Sequence, residues 1–433
     1  MRNYSRDAAF VKGELEKYCL KICSNLGRVA TRLVINMLFG IAKANSCLLT
    51  DIGRALDEKI TIKKTVERLS RGLQRFDDEK TIWENYLQLT DKHIDKTTIF
   101  AIDNSDLAKK YSVAMEDIHE VHDGSTGACV PGYMTLEIVA LTHKHTTPLP
   151  VYERVYSAAE PKFVSENDEI LKGLKFLSKR HGHSGIRVMD RGYDANVFIS
   201  YFTEETERFI IRLKKNRNVI YKDKVKNVEQ LASQYKGKHK MSCTIYGETV
   251  ECKISAIPVK LDAFGERIFQ LVVVHGLGKI PMLLLTNCNG TEEQLCLAIT
   301  KMYLLRWRIE EHFRFKKYQY SFEDFRVRRL KAIRNLHMLT NLLTGYMALI
   351  TQSPTSFIMC KLRLAAKAIP RSSKRRPKKF FHYELAEGFA KLLQKTALNL
   401  AAILPPVRNR PSQRQLNFFS NRHWHSLKSF AII

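Results

Sequence analysis

The stretch TTIFAID, residues 97–103, decides the architecture. Ile99, Phe100, Ala101 and Ile102 form a short apolar run opened by two threonines and closed by an aspartate, the pattern of a strand bounded by turn residues. Everything before it, from residue 10 to 92, reads as helical. After it the same texture returns in GYMTLEIVALTH (132–143), IRVMD (186–190) and RFIIRLK (208–214). Between the second and third runs, FVSENDEILKGLKFLSKRHG (163–182) places Ile170, Leu171, Leu174 and Leu177 at helical spacing. Strands alternating with a helix that packs on them give an α/β core.

Working outward, residues 215–290 carry more candidate strands, NVIYK, SCTIYGETVECKISAI, RIFQLVVVHGLG and MLLLTN, without helices between them, and read as a β-rich insertion. A long helix is expected from Thr291, whose TEEQ is a capping box, to about Tyr320, and another over about 327–350. Lys361–Lys379 holds nine basic residues, no acidic ones and two prolines, and reads as a basic linker. A last amphipathic helix is expected over 383–404, followed by a polar tail. The expected division is a helical N-terminal segment (1–95), a core (96–214), the insertion (215–290), a second part of the core (291–350) and a C-terminal linker, helix and tail (351–433). In the N-terminal segment, LLTDIGRALDE (48–58) and ITIKKTVERLSRGL (60–73) have the pattern of a helix-turn-helix with a basic second helix, a pattern an ordinary helical pair shares.

Lys and Arg number 71 against 44 Asp and Glu, a formal charge of +27. That excess favours a polyanionic partner, nucleic acid before an anionic membrane surface. Nine cysteines at irregular spacing, with no Cys-x-x-Cys pair, argue against a disulfide framework or a zinc ribbon. His143 with His145, and His181 with His183, lack further ligands at metal spacing and read as loop or strand residues. No signal-like or membrane-length apolar run is present, and a cytoplasmic protein without membrane association is expected.

Asp103 and Asp190 each close an apolar run, which places two carboxylates at the carboxyl ends of strands, where open α/β sheets bind ligands. Either aspartate alone could equally start a turn. In YLLRWRIEEHFRFKK (303–317), Tyr303, Arg306, Glu310 and Lys317 fall within an arc of about 60° at ~100° per residue. Met302, Leu305, Ile309 and Phe313 occupy the adjacent arc, so the polar row borders the buried face. Glu311 lies about 100° further round, which singles out Glu310 as the third carboxylate. Arg306 and Lys317 then flank it as phosphate-binding cations, although a routine four-apart pair of Arg306 with Glu310 fits the same spacing.

The pattern Tyr303, Arg306, Glu310, Lys317, within RWRIEE, resembles the Y-R-E-K signature of insertion-sequence-four family transposases, a family of DDE transposases. Asp103, the Asp190-Arg191-Gly192-Tyr193 run and the β-rich stretch before the Glu helix follow in that family's order, over roughly residues 95–350. In one departure, Asp103 is followed by Asn-Ser-Asp, which leaves Asp106 as a weaker first-ligand candidate.

The resemblance implies a ribonuclease-H-like core whose first strand, fourth strand and late helix supply Asp103, Asp190 and Glu310 as ligands of two Mg²⁺ ions, with Mn²⁺ able to substitute. It also implies that Tyr303, Arg306 and Lys317 hold phosphates near the cleaved end, and that Trp307 stacks on an extruded base or simply packs. Arg212 is a further DNA-contact candidate. The expected activity is binding of terminal inverted repeats, cleavage and strand transfer on double-stranded DNA, by a homodimer assembled on DNA in a bacterial cytoplasm. A nuclease without strand transfer, and a catalytically silent DNA-binding protein, are the alternatives.

Overall fold

The computed structural model describes residues 4–142, 147–245, 248–353, 356–368 and 380–404. Five helices lead: α1 (Tyr4–Ile22), α2 (Arg28–Ala44), α3 (Leu49–Leu56), α4 (Ile62–Arg75) and α5 (Glu79–Asp91). The expected turn between two short helices is the one joining α3 to α4, and Thr61 caps α4 by accepting from the Lys64 amide.

The core begins with β1 (Ile99–Ala108), β2 (His119–His122), β3 (Cys129–Leu141), β4 (Leu149–Tyr156), α6 (Glu166–His181), β5 (Ile186–Met189), α7 (Asn196–Glu204) and β6 (Phe209–Arg212). Sequence reading passes over β4, whose Pro150 sits where the β3–β4 register shifts, a position at which a proline is tolerated in a sheet. β1, β5 and β6 run parallel and β3 antiparallel to β1. Ile99–Ile102 and all four residues of β5 are buried, as expected of strands covered on both faces.

Residues 215–290 contain β7 (Asn218–Tyr221), β8 (Lys224–Asn227), a short α8 (Val228–Ser233), β9 (His239–Ile245), β10 (Glu248–Lys260), β11 (Ile268–His275) and β12 (Met282–Thr286). They extend the same sheet. β12 pairs with β6, and the result is a 12-stranded mixed sheet in the order β2-β3-β1-β5-β6-β12-β11-β10-β7-β8, with β4 on β3 and β9 on β10. Residues up to Leu398 form one compact unit.

The helix expected over 291–320 is broken. α9 (Glu292–Arg306) and α10 (Arg308–Gln319) meet at Trp307, whose own backbone stays right-handed helical. Thr291 caps α9 as expected, accepting from the Gln294 amide. The α9 side chains Leu295, Cys296, Ile299 and Tyr303 share one apolar cluster with Ala101, Val188, Ile210, Val272 and Leu284 of the sheet. α6 covers the other face, its Gly173 closely packed against Tyr152 and Leu136.

α11 (Leu330–Thr351) is buried along nearly its whole length. Its Asn335 donates to the Leu73 and Phe76 carbonyls, and Tyr18 of α1 donates to the Leu342 carbonyl. α12 (Phe357–Lys367) and α13 (Phe381–Leu393) follow, and α14 (Leu400–Ile403) lies in the second unit. Two expectations are corrected here. Lys361–Lys367 is helix rather than linker, because Leu362, Ala365 and Ala366 bury against neighbouring helices, and the helix expected over 383–404 ends at Leu393. Residues 369–379, the tail from 405, and His143 with His145 lie outside the described residues. No single described helix is long and apolar enough to cross a membrane.

Gly345 tests this packing. A Cβ there would lie 2.2 Å from the Tyr86 hydroxyl oxygen and 2.6 Å from its ring carbon. Tyr86 cannot step aside, because it is fully buried and donates to the Pro150 carbonyl at 2.9 Å. Gly345→Ala is expected to cost about 1–3 kcal/mol, measured as a lowered denaturant midpoint.

Candidate active site

β1 does not stop at Asp103. The strand continues to Ala108, so Asp103 sits inside it instead of at its end. Ile99 and Ala101 face the α9 cluster, and strand alternation puts Asp103 on that same face. Asp190 comes directly after its strand, which ends at Met189. Its side chain accepts from the Gly192 amide at 2.6 Å, capping the turn Arg191–Tyr193. The parallel β1–β5 ladder pairs Ala101 with Val188, so two residues on it brings Asp103 level with Asp190. By the same count, the β5–β6 pairing of Met189 with Ile211 brings Arg212 beside Asp190.

Arg306, the last residue of α9, joins the strands to the helix. Its Nη1 donates to Asp103 Oδ2 at 2.9 Å and its Nη2 to Glu310 Oε1 at 2.7 Å. Here Arg306 faces carboxylates, including Glu310 in the pairing that the four-residue spacing also allowed, and not the phosphates expected of it. It is only 7% exposed, and both of its terminal nitrogens donate to carboxylates, while its buried Nε has no partner among the described residues. Burial works against its charge, but Asp103, Tyr303 and Glu310 more than offset that and raise its pKa.

Asp103 is the strained charge of the site. Burial pushes its carboxyl up to about 7, Arg306 opposes the shift, and the negative charges of Asp190 and Glu310 add to it. Tyr193 donates its hydroxyl to Asp103 Oδ1 at 3.3 Å, and the Asn104 amide donates to the same oxygen at 3.0 Å. Tyr193 was legible only as part of the Asp190-Arg191-Gly192-Tyr193 run, with no role attached.

Lys317, like Arg306, is paired inside the chain. Its Nζ lies 2.9 Å from Glu323 and 3.3 Å from Asp106, so both it and the weaker aspartate candidate are engaged inside the chain. Tyr303 is buried. Its hydroxyl pKa is raised by burial, with Arg306 and Arg212 pulling the other way and Asp190 adding to the rise. Trp307 is half-buried at the helix junction, with the Arg314 guanidinium 5.6 Å from its ring centroid. Glu311 turns away from this group, as the helical arithmetic expects, but into the protein, where its carboxylate accepts from Tyr383 of α13. His181 ends α6 and stacks on Phe100.

Among the described residues no three His, Cys, Asp or Glu side chains stand as a ready-made metal cage. The guanidinium inserted between Asp103 and Glu310 accounts for this at the carboxylate cluster. The donor set nonetheless fits a hard divalent cation. All three side chains offer carboxylate oxygens, and Asp190 and Glu310 both stand close enough to act on Asp103 as like charges. Such a cation would be held by Asp103, Asp190 and Glu310, in competition with Arg306.

Residues 96–344 match the family model described as transposase DDE domain. No curated protein matches the chain. Among solved structures, the cryo-EM structure of a piggyBac transposase synaptic complex with hairpin DNA is similar over 92% of this chain and 83% of its own, with 12% identity and a TM-score of 0.44.

The Arg306 bridge makes its own prediction. Arg306→Gln leaves Asp103 and Glu310 without their shared counter-charge, and is expected to cost about 2 kcal/mol. Added Mg²⁺ or Ca²⁺ should raise the variant's thermal midpoint more than the wild type's. Equal shifts in the two proteins would show that the guanidinium and the cation do not compete.

Proposed function

This chain belongs to the transposase DDE domain family, and from that premise we propose that it binds the terminal inverted repeats of an insertion sequence, cleaves them and joins the freed 3′ ends to target DNA. The observation that carries the proposal is the convergence of Asp103 and Glu310 on one guanidinium, with Asp190 level with Asp103 on the adjoining parallel strand. The order of these elements supports the ribonuclease-H-like reading of the core. Without the short β2, Asp103 lies on the first core strand, Asp190 follows the fourth, and Glu310 lies on a late helix. The Y-R-E-K stretch supports an insertion-sequence-four assignment within the wider family.

Asp103, Asp190 and Glu310 would hold two Mg²⁺ ions, or Mn²⁺ in their place, which would supply activation of the attacking water or 3′-hydroxyl and stabilisation of the developing oxyanion. The chain's own groups prepare that chemistry. The Tyr193 hydroxyl and the Asn104 amide hold Asp103 Oδ1. If a cation were held by the carboxylates, the Arg306 guanidinium would be free to donate to a phosphate, which would join the observed pairing to the expected phosphate contact. Tyr303 and Arg212 border the same place.

Double-stranded DNA is the partner that the +27 charge suits. α4 supports end binding, since Lys63 and Lys64 are exposed in its first turn. Pairing of two transposon ends implies a homodimer on DNA.

Asp103→Ala, Asp190→Ala and Glu310→Ala are each expected to abolish cleavage of end DNA in Mg²⁺ or Mn²⁺ while leaving end binding in place. Activity that survives chelation would remove metal from the mechanism. Cleavage without joining to a target plasmid would assign a nuclease, and binding without cleavage a silent DNA-binding protein. Lys63→Gln with Lys64→Gln should reduce the slope of log affinity against log salt by about two. An unchanged slope would move end binding away from α4.

A further inference from the structure

Glu137 is a carboxylate that this chemistry leaves unused. It lies in β3, inside the run GYMTLEIVALTH, and is completely buried. The antiparallel ladders set it directly opposite Asp103 on one side and Glu153 of β4 on the other. Directly opposite residues project to the same face, so Glu153, Glu137 and Asp103 form one rung across the sheet. Counting two residues past the Ala101–Val188 pair brings Asp190, just beyond the end of β5, level with that rung.

α10 reaches across the rung. Glu310, near its start, meets Asp103 through Arg306. Further along, His312 Nε2 lies 2.9 Å from Glu137 Oε2, and the Lys316 ammonium donates to Glu137 Oε1. α11 closes the other side. His337 Nε2 lies 3.0 Å from Glu137 Oε1 while its Nδ1 bonds Glu153. Asn341 Oδ1 accepts from Lys316 at 3.0 Å and lies 3.2 Å from His312 Nε2, and Thr135 donates to Glu137 at 3.1 Å. None of Glu137, His312, Lys316, His337 and Asn341 is more than 3% exposed.

Burying so many charges and dipoles is poor value for stability alone, because an apolar cluster of equal volume commonly does as well or better. What a satisfied network does supply is a single geometry. Two side chains of α10, four residues apart, grip one immobile carboxylate, which sets both the rotation and the height of the helix that carries Glu310. A metal-binding constellation tolerates errors of only about 0.5 Å or 10–20°.

We propose that Glu137 is a positioning residue: gripped by His312, Lys316 and His337, it locks α10 so that Glu310 faces Asp103 and Asp190. The proposal rests on the reading of those three carboxylates as metal ligands, and the test separates the two.

Mn²⁺ affinity is measured by isothermal titration calorimetry on the full chain, well below the thermal midpoint, for wild type, Glu310→Gln, Glu137→Gln, and Glu137→Gln combined with Lys316→Met. Glu310→Gln reports on the underlying reading; affinity unchanged by it sinks that reading and the proposal with it. If Glu310→Gln weakens binding, Glu137→Gln is expected to weaken it by about tenfold or more in protein whose circular dichroism is native. The double variant, which also removes the ammonium left without a carboxylate, should regain thermal midpoint without regaining Mn²⁺ affinity. A role in stability alone predicts that affinity within about twofold of wild type accompanies a lowered midpoint, and that result overturns the proposal. Should Glu137→Gln fail to fold, His312→Gln removes one of the two grips and is read in the same way, with a weakening of about threefold or more expected.

Discussion

A charge on a strand buried from both sides must find its counter-charge inside the protein, and that constraint organises this molecule. β1 is covered by α9 on one face and by the α6 layer on the other. Asp103 therefore meets Arg306, Asp106 meets Lys317, and Glu137 on the neighbouring strand meets Lys316 and two histidines. All three cations lie on α9 or α10. The helices are attached to the sheet by an apolar cluster along α9 and by this series of ion pairs along α10. The same attachment brings Glu310 to the carboxyl end of the parallel strands.

The ion pairs differ in what they can give up. Glu137 and its partners are sealed from solvent, so breaking them leaves a bare charge in a dry place. Arg306 bridges two carboxylates at the border of the sheet, and the Glu310 side chain is 38% exposed there. That exposure leaves the Arg306 pairing open to a competing cation, which the sealed Glu137 cluster is not. The carboxylate cluster lies in a chain of formal net charge +27, an excess that favours a polyanionic partner.

Much of the fold was legible from local pattern. The helical start, the apolar runs around Ile102, Val188 and Ile210, the helix over Ile170–Leu177 and the capping Thr291 follow from side-chain periodicity and turn chemistry, which neighbouring residues settle among themselves. The preference for Glu310 over Glu311 came from the same arithmetic, and the two do point different ways, Glu310 to Arg306 and Glu311 to Tyr383. Glu137 had a signal too, a lone carboxylate in an apolar strand, but nothing in the sequence names its partners.

What the sequence alone determined is therefore which residues share a strand or a helix face. Tertiary structure decided the continuation of β1 to Ala108, the break at Trp307, the joining of residues 215–290 to the core sheet, and the partners of every charge. The physical reason is that a guanidinium donates to a carboxylate or to a phosphate in the same forked geometry. Sequence spacing allowed Arg306 either partner, and only strand register and helix packing bring Asp103, more than two hundred positions away, within 2.9 Å of it.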